Sequence, residues 1–284
     1  MAEGRYIEAA GLRTHYIDEG KGPLLVLVHG AGLAVDSELT WWRQIEDLSR
    51  DHRVVAFDQI GFGRTDLPPD RLYQSRLQRV PHAIAVLRAL GLKDATLVGH
   101  SEGGFIALRI AHQHPELARR LVIVTSGSAA PMLGGSLDDA WIAASDAAYN
   151  YDSAMLTVDA FVARKRNEYR ALDQRTARLY RENFDRAQRE GQIDLTKTMP
   201  FAETDMRAYM DLQAAHIAPI LGDIRQPVMM IWAGDDATVP VARGVAMREK
   251  FRAGADLHIL AGAQHMVMHD RAEAFNNLIR SWRA

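Results

Sequence analysis

Ser101 lies in Gly99-His100-Ser101-Glu102-Gly103, a G-x-S-x-G pattern. The apolar run from Ala95 to Val98 ahead of it reads as a buried strand. Behind it, Phe105, Ile106, Leu108, Ile110 and Ala111 have helical spacing. A strand, a sharp turn carrying serine and an immediate helix form a nucleophile elbow, in which the hydroxyl stands clear of the sheet. Gly99 and Gly103 suit so tight a bend because a side chain would meet neighbouring backbone. The free N–H groups at the start of the helix, and its dipole, would face an oxyanion formed there.

A serine hydroxyl is a poor nucleophile at neutral pH. It needs a base within hydrogen-bond reach, and the base needs an orienting acid. In open α/β sheets such groups collect where strands end. Of the eleven histidines, His265 follows the last strand run, whereas His258 lies inside it and His269 opens the next helix. His29 is placed to shape the first loop. His100 cannot turn onto its neighbour from the same bend. The acid candidate is Asp236, four residues before Pro240 in a loop after a strand, with Asp235 as the alternative. The order Ser101, Asp236, His265 suits an elbow-type hydrolase. Two backbone donors are needed for an oxyanion: Glu102, after the serine, and Ala31 in His29-Gly30-Ala31-Gly32. Other chemistries lack parts. There is no G-x-x-x-x-G-K loop, Gly61-x-Gly63 lacks a third glycine, and His112-x-His114 has no third ligand nearby. Neither a metal nor a cofactor is expected.

These residues must be held by a scaffold, and the chain alternates strand and helix patterns. Arg5 to Asp18 reads as two antiparallel strands about Gly11. Leu24–Val28 reads as a strand covered on both faces, Arg53–Phe57 and Ala95–Val98 as further buried strands, and Leu121–Val124, Val228–Trp232 and Leu257–Leu260 as strands. Helices are expected over Trp41–Leu48, Val80–Leu90, the segment behind Ser101 and Ala272–Trp282, and Gly244–Phe251 resembles a helix interior. That alternation predicts a mostly parallel eight-stranded sheet flanked by helices. From Pro131 to about Leu221 no strand pattern occurs, and the arginines there read mainly as solvated helix faces. The expected division is a core over 1–130, a helical cap over 131–221 inserted after the sixth strand, and the rest of the core over 222–284.

The 284 residues carry a net charge of −2, so no nucleic-acid partner is implied. Cysteine is absent, which excludes disulfides and thiolate chemistry. No apolar run approaches the roughly 18 residues that span a bilayer, and the N-terminus lacks a secretory pattern. The expectation is a cytoplasmic protein that takes a small, partly apolar molecule; homo-oligomerisation is left open. Trp41, Phe105, Trp141, Met155 and Phe161 are candidates to line the substrate pocket, with core packing as an equal alternative.

With these residues in hand, the chain resembles the α/β-hydrolase fold along essentially its whole length. Within that fold it is most similar to the meta-cleavage-product hydrolases, which cut a carbon–carbon bond in ring-opened aromatic 2-hydroxy-6-oxo-dienoates. The stretches Val54 to Thr65, Ser37-Glu38-Leu39-Thr40-Trp41 and Phe275-Asn276-Asn277-Leu278-Ile279 carry this narrower likeness. The family usually has Asn-Ser-Met-Gly-Gly at the elbow, Asn where this chain has Thr40, and Trp where it has Met266. The resemblance therefore implies Thr40 and Met266 at the substrate, and a lid arginine on the substrate carboxylate, for which Arg166 is the candidate and Arg164 the alternative. The expected function is a cofactor-free C–C bond hydrolase. The alternatives are a carboxylesterase for a small or aryl ester, a ligand receptor, or a cofactor-free oxygenase or perhydrolase on the same fold.

Overall fold

The computed structural model describes residues 4–149 and 157–282. The first strands, β1 (Arg5–Ala9) and β2 (Leu12–Glu19), form a hairpin whose turn residues Ala10 and Gly11 both have positive φ. That turn matches the right-handed twist of the strands it joins. There follow β3 (Leu24–Val28), α1 (Ser37–Leu48), β4 (Arg53–Phe57), α2 (Arg76–Ala89), β5 (Ala95–His100), α3 (Glu102–Gln113) and β6 (Ala118–Val124). Only helices occur among the described residues before the next strand: α4 (Ser136–Tyr149), α5 (Val158–Lys165), α6 (Gln174–Glu190), α7 (Gln192–Thr196), α8 (Phe201–Thr204) and α9 (Met206–His216). The chain then returns through β7 (Val228–Ala233), α10 (Val241–Arg248), β8 (Asp256–Leu260), α11 (Val267–Asp270) and α12 (Ala272–Ser281).

The eight strands form one sheet in the order β1-β2-β4-β3-β5-β6-β7-β8. The β1–β2 and β2–β4 pairs are antiparallel, and the other five are parallel. The alternation of side chains explains why the central strands are apolar throughout. Val26 and Val28 face the core formed with α2, α3 and α10, while Leu25 and Leu27 face the core formed with α1 and α12. Met230 and Trp232 face the first side, and Met229 and Ile231 the second. Each fully buried aliphatic side chain contributes roughly 1.5–3 kcal/mol of transfer free energy.

Two helices begin earlier than periodicity predicts. Asp36 accepts the Leu39 N–H at 2.7 Å and starts α1 at Ser37. Ser75 and Gln78 form a capping box that starts α2 at Arg76, leaving Pro81 inside the helix. Caps satisfy the free N–H groups of the first turn and so outweigh the weaker apolar signal there.

The second core continues into the helices between β6 and β7 through Phe161, Tyr180 and Phe184. Arg186 of α6 is buried, an exception to the expectation of solvated arginines. Its guanidinium meets Asp36 at 2.9 Å and donates to the Gly63 carbonyl at 3.1 Å. Asn183 donates to the Ala34 carbonyl at 3.0 Å. Thus α6 rests on the loops that follow β3 and β4.

Candidate active site

The parallel strands β3, β5, β6, β7 and β8 deliver their following loops to one edge of the sheet. At the end of β5, Ser101 has φ 51° and ψ −122°, a strained conformation for a residue with a side chain. A Cβ on Gly99 would strike the backbone of Gly103, and one on Gly103 would strike the carbonyls of Val28 and His29. The elbow therefore packs backbone against backbone. Hydroxyls of Ser126 and Ser128 donate to the Ser101 carbonyl at 2.5 and 3.3 Å, holding the turn against the end of β6. On the opposite side, a Cβ on Gly30 would lie 3.0 Å from the Ser101 Cβ, so the loop after β3 comes right up to the serine.

The Nδ1 atom of His265 lies 2.7 Å from Oδ2 of Asp236, and both residues are buried. The other carboxylate oxygen of Asp236 accepts from the Thr238 N–H at 2.8 Å, the Thr238 hydroxyl at 2.8 Å and the Val239 N–H at 3.1 Å. Burial pushes the Asp236 carboxyl up, but the His265 charge and these hydrogen bonds outweigh it and hold the group below its ordinary value. Burial pushes His265 down, and the Asp236 charge and hydrogen bond outweigh that to raise it. Asp235 is exposed and pairs with Arg170 at 3.4 Å, so it faces away from the imidazole.

The backbone carbonyl of His265 is held from two sides, by Nε2 of His100 at 3.2 Å and the Thr125 hydroxyl at 3.2 Å. The His100 ring lies 4.7 Å from the His265 ring, tilted at 53° to it, and burial keeps its pKa well below the ordinary value. His100 is thus a neutral support for the histidine beside it. His29 accepts the Gln59 N–H on Nε2 at 3.1 Å, which leaves Nδ1 to donate to the Gly30 carbonyl at 2.6 Å. It shapes the loop, as its position in the sequence implies.

Ser101 and His265 line a cavity of about 360 Å³ together with Ala31, Glu102, Trp141 and Lys165. The Glu102 N–H is the first of α3 and has no acceptor within the helix. Ala31 lies between Gly30 and Gly32, the latter at φ 136°. Ala31 and Glu102, expected to supply the oxyanion donors, therefore line the same cavity as the serine and histidine.

The structure brings only part of the expected substrate set to this cavity. Trp141 lines it and donates its indole N–H to the Thr238 carbonyl. Trp41 is fully buried between His100 and Phe275, and Phe105 is core between the sheet and α2. Phe161 stacks on Phe184 at 4.9 Å. Thr40 turns its hydroxyl back to the Asp36 carbonyl at 2.8 Å. Met266 is buried in the second core. None of these five lines the cavity: the four apolar side chains find closer partners in the core, and the Thr40 hydroxyl is taken up by its own helix. Met155 lies outside the described residues.

Arg166 is a further correction. It is exposed at the end of α5, and Arg164 is exposed and donates to the Ala147 carbonyl at 3.0 Å. Two cations line the cavity instead: Lys165, buried and paired with Glu168 at 2.7 Å, and the exposed Lys197, paired with Asp194 at 2.7 Å. Helical spacing carried the signal. Lys165 falls four residues after Phe161 and three after Val162, both buried, so it shares their inward face.

Glu102 also has a definite setting. Its carboxylate pairs with Arg79 and accepts the Tyr209 hydroxyl at 3.1 Å. Arg76 and Glu203 stand beside it, 3.8 Å apart. Burial raises the Glu102 carboxyl, but the Arg79 and Arg76 charges bring it below the ordinary value. Glu203 is pushed up to about 7 by burial and by the Glu102 charge. No group of three or more potential metal ligands occurs among the described residues. Nor is any described helix long and apolar enough to cross a membrane.

Residues 23–272 match the family model described as alpha/beta hydrolase fold. The chain belongs to that family and is a hydrolase. Within the family its resemblance is to enzymes of meta-cleavage products. It is 30% identical over 290 residues to a 2-hydroxymuconate semialdehyde hydrolase of Pseudomonas putida, covering 99% of this chain and 94% of the relative. A 2-hydroxymuconate semialdehyde hydrolase of Pseudomonas sp. (strain CF600) is 42% identical over 138 residues, a segment spanning 49% of this chain and 48% of that protein. Among solved structures, a meta-cleavage product hydrolase superposes with a TM-score of 0.78 at 24% identity, covering 97% of this chain and 96% of the other. The 2-hydroxy-6-oxo-6-phenylhexa-2,4-dienoate hydrolase of Rhodococcus sp. strain RHA1 gives 0.78 at 19% identity, covering 98% and 97%. At these identities the superpositions speak to the fold.

Proposed function

We propose that this protein hydrolyses a carbon–carbon bond in a ring-opened aromatic metabolite, a vinylogous 1,5-diketone, without a cofactor. The observation that carries this reading is the full-length similarity to a 2-hydroxymuconate semialdehyde hydrolase. The cavity is consistent with it, since Lys165 offers a cation for a carboxylate beside the loop of Ala31 and Gly32.

In this reading the dienol is first converted to its keto form. His265, oriented by Asp236, takes a proton from Ser101 Oγ or from a water. Attack on the carbonyl carbon places negative charge on its oxygen, within reach of the N–H groups of Ala31 and Glu102. Each such donor is worth roughly 3–4 kcal/mol of transition-state stabilisation. The C–C bond then breaks, and the electron pair leaves on a carbon stabilised by conjugation through the neighbouring C=C bond with the other, distant carbonyl. Protonated His265 returns its proton to that carbon. Water supplies the hydroxyl that leaves the acyl fragment as a carboxylic acid.

A second reading is a carboxylesterase for a small or aryl ester. It is favoured by the pairing of Lys165 with Glu168, which already engages the cation a substrate carboxylate would use. The same groups would serve, with an alkoxide leaving. One experiment separates the two. The purified protein is offered a yellow ring-opened dienol and p-nitrophenyl acetate in parallel, each with a Ser101→Ala control. Loss of the yellow absorbance by the native protein is the expected result. Persistence of the colour while the ester is consumed would move the assignment to the esterase.

A further inference from the structure

Arg79 is fully buried, yet it uses its guanidinium on two separate loops. Nη2 pairs with the Glu102 carboxylate on the elbow side. Nη1 donates to Oε1 of Gln59 at 3.2 Å. Gln59 in turn donates its amide to the His29 carbonyl at 2.6 Å, and its backbone N–H donates to the His29 ring at 3.1 Å. That ring holds the Gly30 carbonyl at 2.6 Å. A continuous buried path therefore runs from Glu102 through Arg79, Gln59 and His29 to Gly30, the residue before Ala31. Its two ends carry the two backbone N–H groups proposed to hold the oxyanion.

We propose that Arg79 is a positioning residue that fixes the separation and aim of the two oxyanion donors by bracing both loops at once. This rests on the reading of Ala31 and Glu102 as those donors. The guanidinium suits the task because it is a rigid planar fork with donors pointing in different directions, which an ammonium is not. The bracing also explains the acidic residue after the serine. Its carboxylate anchors one end of the strut, and its backbone remains available to the cavity. Tyr209 of α9 adds a second hold on that carboxylate, so a helix of the inserted segment contributes to the same arrangement.

The test uses p-nitrophenyl acetate as substrate and phenylboronic acid as inhibitor, since boron adds to a serine oxygen and presents a tetrahedral, oxyanion-like group. Active sites are counted with a fluorophosphonate, so that misfolded protein does not enter the rates. Arg79→Lys keeps the charge and loses the fork. A shift of the donors by about 1 Å should lower kcat per active site by about 10²-fold, with KM within about twofold. Affinity for phenylboronic acid should fall by the same factor as kcat. A role confined to folding would reduce the number of active sites and leave kcat per site and boronate affinity unchanged; that result overturns the proposal.

A second measurement does not require removing Arg79. Gln59→Leu and Glu102→Gln act on opposite ends of the strut. Their effects on kcat should be non-additive if Arg79 transmits between them. Additive effects would also overturn it. A native protein insensitive to phenylboronic acid, or a Ser101→Ala variant with full turnover, would instead bring down the underlying reading of the site, and the strut with it.

Discussion

Replacing Asp236 by asparagine removes one charge and, through it, the orientation of the base. The structure dictates how the new amide must sit. The Thr238 N–H, the Thr238 hydroxyl and the Val239 N–H all donate to one oxygen of Asp236. The amide oxygen of asparagine has to take that place, which turns the NH2 group toward His265. A donor then faces Nδ1, where the carboxylate lies 2.7 Å away in the native protein. The imidazole responds by moving its proton to Nε2, the nitrogen that should accept from Ser101. By analogy with other serine triads, turnover should fall by about 10⁴-fold, or about 5 kcal/mol of barrier. The pH profile supplies an independent check. A base must be neutral, and in the native protein Asp236 raises His265 above its ordinary value of 6.5. Activity should therefore rise with pH through a midpoint above 6.5. In the variant the Asp236 charge and hydrogen bond are lost while burial and the Lys165 charge still lower the imidazole, opposed by Glu168, so residual activity should rise through a midpoint below that of the native protein. Initial rates of p-nitrophenyl acetate hydrolysis from pH 5 to 9, with circular dichroism to verify folding, provide both numbers. Activity within tenfold of native, or an equal loss in Asp235→Asn, would refute the assignment.

Lys165→Met should raise KM for an anionic dienoate by at least tenfold while leaving a neutral aryl ester within about threefold, measured by steady-state kinetics on both. Equal effects would remove Lys165 from carboxylate recognition. Glu203 has its pKa raised to about 7 from an ordinary value of 4.5. Its folded form holds the proton more tightly, so its contribution to stability is present below pH 4.5 and is lost as pH rises through 7. Glu203→Gln should therefore increase Tm at pH 8 and change it less at pH 5, by thermal melts at both values. Gly103→Ala should abolish soluble, folded protein or lower Tm by more than 10 °C, because the added Cβ meets the rigid backbone carbonyls of Val28 and His29. A normal melting curve would show that the elbow can relax.

Much of this architecture was legible in the pattern of residues. Continuous apolar runs marked the central strands, which divide their side chains between two cores, whereas β8 at the sheet edge is only half-buried. Long helix starts were less legible, because Asp36 and Ser75 act through single cap hydrogen bonds that periodicity does not register. For the site, position after a strand singled out Ser101, Asp236 and His265, and the fold carries all three to one edge of the sheet. Large aromatic residues misled the reading of the pocket. Trp41 and Phe105 have the size and apolarity to line a cavity, but those same properties draw them into the core.

Sequence alone therefore determined the alternation of strand and helix, the glycines that permit the elbow and the order of the serine, acid and histidine. These are local properties, set by side-chain periodicity and by what a tight turn sterically allows. Tertiary structure decided that Lys165, rather than its neighbours Arg164 and Arg166, meets the cavity, and that Lys197 joins it there from elsewhere in the inserted segment. It also decided that Arg79, Gln59 and His29 join Glu102 to the loop of Ala31. Such a path crosses four separate stretches of chain, and no spacing within any one of them encodes it.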